Sequence, residues 1–133
     1  MKRLMETNIY DVDEVLIVAG SCLKFMQPKA FSEIEKISSN IYSVCLEETH
    51  VNMVITKVGG ILRTGKVKKI VFVSVDKSPH CIQMHYIQDE LKKMMNNLEN
   101  IIVENYVAVD NRIELISPEV ISLSKNLSKL STL

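Results

Sequence analysis

The run Ile70-Val71-Phe72-Val73-Ser74-Val75 constrains this chain more than any other stretch. It is apolar almost throughout, rich in β-branched and aromatic residues, and lacks the polar alternation of a half-exposed strand. A strand covered on both faces reads this way. Such a strand needs a parallel or mixed sheet with helices around it. Asp76-Lys77 follows as a tight loop, and Ser78-Pro79 then carries a helix-start signal. Serine is a favoured N-cap, and proline suits the first helical position, where its missing N–H has no partner to lose. The spacing predicts a helix from Ser78 to about Met95, with His80 and Cys81 in its first turn and Asn96-Asn97 at its end. A helix start concentrates positive potential, which favours a thiolate at Cys81. His85, four residues on, is expected on the same face as Cys81, where the two could share a metal ion. The competing reading of Cys81 is a small buried core residue.

The remaining elements fit the same architecture. Glu14 to Gly20 is a second apolar strand, closed by the small pair Ala19-Gly20. Leu23 to Ala30 reads as loop because of Pro28. Ser32 to Glu35 reads as a capping box opening a short helix to about Ser38. Ile41 to Val44 is a short strand with Cys45 at its end. Glu47 to Thr64 is a helix: Val51, Val54, Ile55, Val58, Ile61 and Leu62 recur at three- and four-residue spacings, and Gly65 follows as a C-cap. Gly59-Gly60 within it is expected to permit close packing of helix on sheet. Ile101 to Val109 is a strand nearer an edge, since Glu104 and Asn105 interrupt it. Asp110-Asn111 marks a turn, Arg112 to Ile116 a short last strand, and Ser117-Pro118 starts a helix to about Leu130. Strands alternating with helices predict one domain over residues 1–133. That domain is a three-layer α/β fold of Rossmann-like type, with a mostly parallel sheet of 4–5 strands.

With 133 residues, the chain can bury a single substantial core. A formal net charge of +0 argues against a nucleic-acid partner. No apolar run approaches the roughly 20 residues of a membrane span, and the start, MKRLMETNIYDVDEV, has no apolar signal core. These features point to a cytoplasmic protein, and its Ile, Lys, Asn and Met usage points to a prokaryotic coding bias. An odd count of 3 cysteines does not make a complete disulfide framework.

The cysteines and histidines carry the strongest functional signal. Cys22 follows the first strand, Cys45 ends the second, His50 sits in the first turn of the next helix, and His80, Cys81 and His85 follow the central strand. In a parallel sheet the carboxyl ends of the strands share one edge, where open α/β folds bind ligands. All of these residues are expected along that edge. Cys and His gathered there suit zinc, an iron–sulfur cluster or thiol chemistry, and the spacing does not choose among them. The candidate metal ligands are Cys22, Cys45, His80 and Cys81, with His50 and His85 in reserve. For catalysis the candidates are Cys81 as nucleophile, His80 as its base, and Asp76 as the nearest carboxylate. Gly20, Ser21 and Ser78, beside the strand ends, are candidate ligand contacts. The nucleotide-binding glycine fingerprints are absent from this sequence.

The order VLIVAGSC, then NMVITKVGGILRTGKVKKIVFVSVDKSPHC, resembles the core of β-class carbonic anhydrases over Glu14 to Cys81. In that family a strand ends in a metal-binding Cys, and a later strand leads to a loop bearing a metal-binding His and Cys. The resemblance implies Cys22 and Cys81 as metal ligands. The family's Asp and Arg after the first Cys are replaced here by Lys24 and Met26, and the place of its His holds Ser78, with His80 beside the second Cys.

Two further readings belong to other classes. A binding or regulatory module would take a small anionic molecule at helix N-termini near Ser78 and Thr49. An accessory subunit would work by assembly, and the chain length fits a homodimer.

Overall fold

A computed structural model describes residues 1–96 and 98–133; the expected helix-end residue Asn97 lies outside the described residues. One six-stranded sheet forms the framework, in the order β1-β3-β2-β4-β5-β6. Its strands are β1 (Lys2–Arg3), β2 (Glu14–Gly20), β3 (Ile41–Val44), β4 (Val67–Val75), β5 (Ile102–Val109) and β6 (Arg112–Ile116). Every pairing is parallel except that of β5 with β6. The sequence reading anticipated four or five strands. The additional one is β1, a two-residue strand pairing Lys2 and Arg3 with Tyr42 and Ser43. No periodicity could announce so short an edge.

β4 is the centre of the core. Ile70 to Val75 is buried throughout, and β2 flanks it with Leu16 to Ala19 fully buried. Asp110 and Asn111 take left-handed backbone angles, φ 51° and 62°, and join β5 to β6 as a two-residue hairpin turn.

The helices are α1 (Leu23–Met26), α2 (Pro28–Glu35), α3 (Val51–Arg63), α4 (Ile87–Met94), α5 (Pro118–Ser124) and α6 (Leu127–Leu130). α3 buries Val54, Ile55, Val58, Ile61 and Leu62, the stripe its periodicity predicts, and Gly65 beyond it has φ +78°. Gly59 faces Leu91 of α4 rather than the sheet, and Gly60 faces Ile9. The close approach these glycines permit is therefore between α3 and its neighbouring helical turns.

Four expectations give way. Leu23–Met26 and residues 28–30 are helical on either side of Gln27, because Pro28 starts α2 at its first position instead of breaking a loop. Ser32 consequently lies inside α2, with its hydroxyl donating to Pro28 O rather than capping. The C-terminal helix ends at Ser124, and α6 restarts behind an Asn126 cap. Ser78 caps without starting an α-helix. Its Oγ accepts from Cys81 N–H at 3.2 Å, but the chain then forms a 3₁₀ stretch, Cys81–Tyr86, before α4. Cys81, Met84 and Ile87 are buried at a strict spacing of three, the period of a 3₁₀-helix.

Candidate functional site

β2 lies between β3 and β4, so the chain leaves it to one side for β3 and crosses to the other for β4. The order reverses there, and in open α/β sheets the crevice outside the carboxyl ends of such strands is where ligands sit. A cleft of about 530 Å³ opens at this point. The loops after β2, β3 and β4 each bring one thiol to it, from Cys22, Cys45 and Cys81 respectively, and His80 also lines it. The four side chains preferred as ligands from the sequence therefore share one cavity.

Cys81 is the inner thiol, 7% exposed, while Cys22 and Cys45 are half-buried. Its Sγ accepts from Val75 N–H at 3.4 Å, across the turn that ends β4. Gly20, the last residue of β2, makes room for it. A Cβ built on Gly20 would lie 2.7 Å from that sulfur. Burial, and then the neighbouring Cys22 and Cys45 charges, push the Cys81 thiol above its ordinary value, outweighing the Val75 N–H and the Ser78 hydroxyl, which pull it down. This corrects the expected thiolate: no α-helix starts beside Cys81, and the desolvated sulfur keeps its proton.

His80 stands at the rim, with Nδ1 3.2 Å from Glu47 Oε1. Glu47 follows β3 and also lines the cleft. The carboxylate beside His80 is thus Glu47 rather than Asp76, the nearest carboxylate by sequence. Asp76 lies on the wall, where its N–H donates to Ala108 O. Ser21 lines the cleft and donates its N–H to Val44 O at 2.8 Å.

The two reserve histidines lie elsewhere. His50 is exposed and caps α3, its Nδ1 accepting from Asn52 N–H at 3.1 Å. Thr49 therefore precedes the cap. His85 is 3% exposed and turns away from Cys81. Four residues along a 3₁₀ stretch is a turn and a third, so the shared face expected of an α-helix does not form. His85 lies between Ser74 Oγ, 2.6 Å from Nε2, and Asn105 Oδ1, 2.9 Å from Nδ1. Neither Ser74 nor Asn105 was a site candidate from the sequence, where Asn105 counted only as a break in its strand. Asn105 registers with Phe72, two residues before Ser74, so both polar side chains face one side of the sheet. That register was the missing signal.

Among the described residues no three His, Cys, Asp or Glu side chains converge as a metal-holding group. The donor types at the cleft, three sulfurs and an imidazole, suit zinc or iron–sulfur chemistry. Their present placement lines a cavity without meeting at a point. Among the described residues no helix is long and apolar enough to cross a membrane.

An open, mostly parallel α/β sheet whose strand order reverses beside β2 is a doubly wound, Rossmann-like architecture. The family model described as Rossmann-like domain matches residues 12–132, and the chain belongs to that family. No curated protein and no solved structure matches the chain.

Proposed function

We propose that this Rossmann-like domain works through its three-thiol cleft, and that the cleft captures a thiophilic metal, zinc or iron–sulfur, on Cys22, Cys45 and Cys81, with His80 at its rim. The observation that carries the reading is the delivery of all three cysteines of the chain, by three separate loops, to one cavity at the strand-order reversal. Thiolates gathered in one place raise one another's pKa, and a bound cation reverses that effect. The likeness of Glu14–Cys81 to the β-class carbonic anhydrase core belongs to the same proposal and favours Cys22 and Cys81 as the first pair of ligands. Because the sulfurs line the cavity without converging, capture requires the loops after β2, β3 and β4 to close together.

Thiol chemistry without metal is the second reading, favoured by the half-exposed Cys22 and Cys45.

Elemental analysis of protein purified anaerobically without chelators tests the first reading, together with alkylation of the native thiols. The expected result is near-stoichiometric zinc or iron, with Cys22 and Cys81 protected, and metal lost in Cys22→Ser. Metal-free protein in which Cys22 or Cys45 reacts fast replaces metal capture with thiol chemistry. Metal-free protein with three slow thiols overturns both readings.

A further inference from the structure

A second cleft, of about 430 Å³, lies on the other side of the Val75–Pro79 turn, within the usual range of ~300–1,000 Å³ for small-molecule sites. Val107, Ile116, Val120 and Ile121 from β5, β6 and α5 give it apolar walls. Ser74 and His85 also line it, although they are 4% and 3% exposed, so they form its floor and are reached only from within.

The floor has a directional wiring. Asn105 Oδ1 accepts from His85 Nδ1–H, which leaves Nε2 without a proton, and Nε2 accepts from Ser74 Oγ–H. Nucleophile, base and orienting group are thus in line, each within hydrogen-bond reach of the next, the layout of a nucleophile–base–orienter triad with an amide oxygen where serine triads carry a carboxylate. Burial holds His85 below the ordinary imidazole value, so it is a neutral base at physiological pH.

We propose that Ser74, His85 and Asn105 form a nucleophilic serine site that opens into this cleft and cleaves small esters of apolar acyl groups. Val107, Ile116, Val120 and Ile121 hold the acyl group. Ser74 Oγ bonds to the acyl carbon as its proton passes to His85 Nε2. The ester C–O bond breaks, and the alcohol leaves with that proton. Water then attacks the acyl-Ser74 bond, giving its proton to Nε2 and its oxygen to the acid. Nε2 returns the proton to Ser74 Oγ. Asn105 keeps Nδ1–H in place throughout.

The test is covalent labelling of the full chain by an alkyl fluorophosphonate, read by intact mass and peptide mapping, with p-nitrophenyl butyrate hydrolysis alongside. The expected result is one label on Ser74, absent in Ser74→Ala. Labelling is slowed ~100-fold or more in His85→Gln, the scale of a lost general base. Asn105→Asp, which keeps the acceptor, retains labelling, whereas Asn105→Leu loses most of it. Thermal unfolding of each variant establishes that the protein compared is folded. Folded wild type that takes no label on Ser74, or a Ser74 label whose rate ignores His85→Gln, overturns the proposal. In either case the three side chains serve only as a buried polar network.

Discussion

Gly20→Ala tests the geometry on which the thiol cleft depends. The new methyl would lie 2.7 Å from Cys81 Sγ, and Val75 Cγ2, at 3.9 Å, is the next atom it would meet. The sulfur cannot swing aside freely, because it accepts the Val75 N–H and its residue is buried against β4. Overpacking of this kind costs about 1–3 kcal/mol. Cys81→Ala removes one buried atom at a cost of about 1 kcal/mol, the scale of a buried methylene. Combined, the two changes relieve each other, because the alanine methyl enters space the sulfur has vacated. Urea unfolding of wild type, both single variants and the double variant gives the coupling. The expected double cost falls short of the sum by about 1 kcal/mol or more, with unchanged m-values. Native alkylation at a fixed pH should also show Cys81 of Gly20→Ala reacting more slowly, since the displaced sulfur loses the main-chain N–H that pulls its pKa down. Costs that add to within about 0.5 kcal/mol would refute the contact, since that is how independent sites behave.

Two further expectations follow from the same turn and its neighbour. Ser78→Ala removes the acceptor of Cys81 N–H and should cost about 0.5–1.5 kcal/mol. It should also raise the Cys81 thiol pKa further, because the Ser78 hydroxyl pulls that thiol down, read from alkylation rate against pH in a Cys22→Ser/Cys45→Ser background; an unchanged or lower pKa would contradict that pull. The stability–pH curve should slope on both flanks. Burial holds His85 below 6.5, so the unfolded chain takes up a proton there that the native state refuses, and stability falls as pH drops through that range. Burial holds Cys81 above 9.0, so the unfolded thiol loses its proton first and stability falls as pH rises past that value. His85→Gln should flatten the acid flank and Cys81→Ala the alkaline one. A slope that survives its own substitution would assign that flank to another group.

What the sequence made legible was governed by local pattern and chain order. β4 was visible because burial on both faces leaves a nearly continuous apolar run without polar alternation, and α3 because Val54, Ile55, Val58, Ile61 and Leu62 repeat at helical spacing. The thiol cleft was visible for a topological reason. Cys22, Cys45 and Cys81 each follow a strand, and parallel strands end on one edge, so side-chain directions were not needed to bring them near one another. The histidines did require directions, which chain order does not supply. His50 is one residue outside α3, where its ring satisfies a helix N–H. His85 was assigned to the face of Cys81 on a period of 3.6, whereas the chain there has a period of three.

The Ser74–His85–Asn105 line was hidden for a different reason. Its members come from β4, the 3₁₀ stretch and β5, and they meet only because Phe72 registers with Asn105. Register is a property of the paired strands, and a slip by one residue would have turned Asn105 to the opposite face. Each polar residue looked like a local exception in its own strand: Ser74 in an apolar run, Asn105 as an edge marker. Together they satisfy a buried imidazole that neither could satisfy alone. A polar residue in each of two adjacent strands, with a histidine in the segment that connects them, is thus a pattern that implies a shared partner before the register is known. The Val75–Pro79 turn gives that pattern its functional weight, because it carries one wall of each cleft. The same five residues line both clefts, so the two cavities share a single main-chain segment.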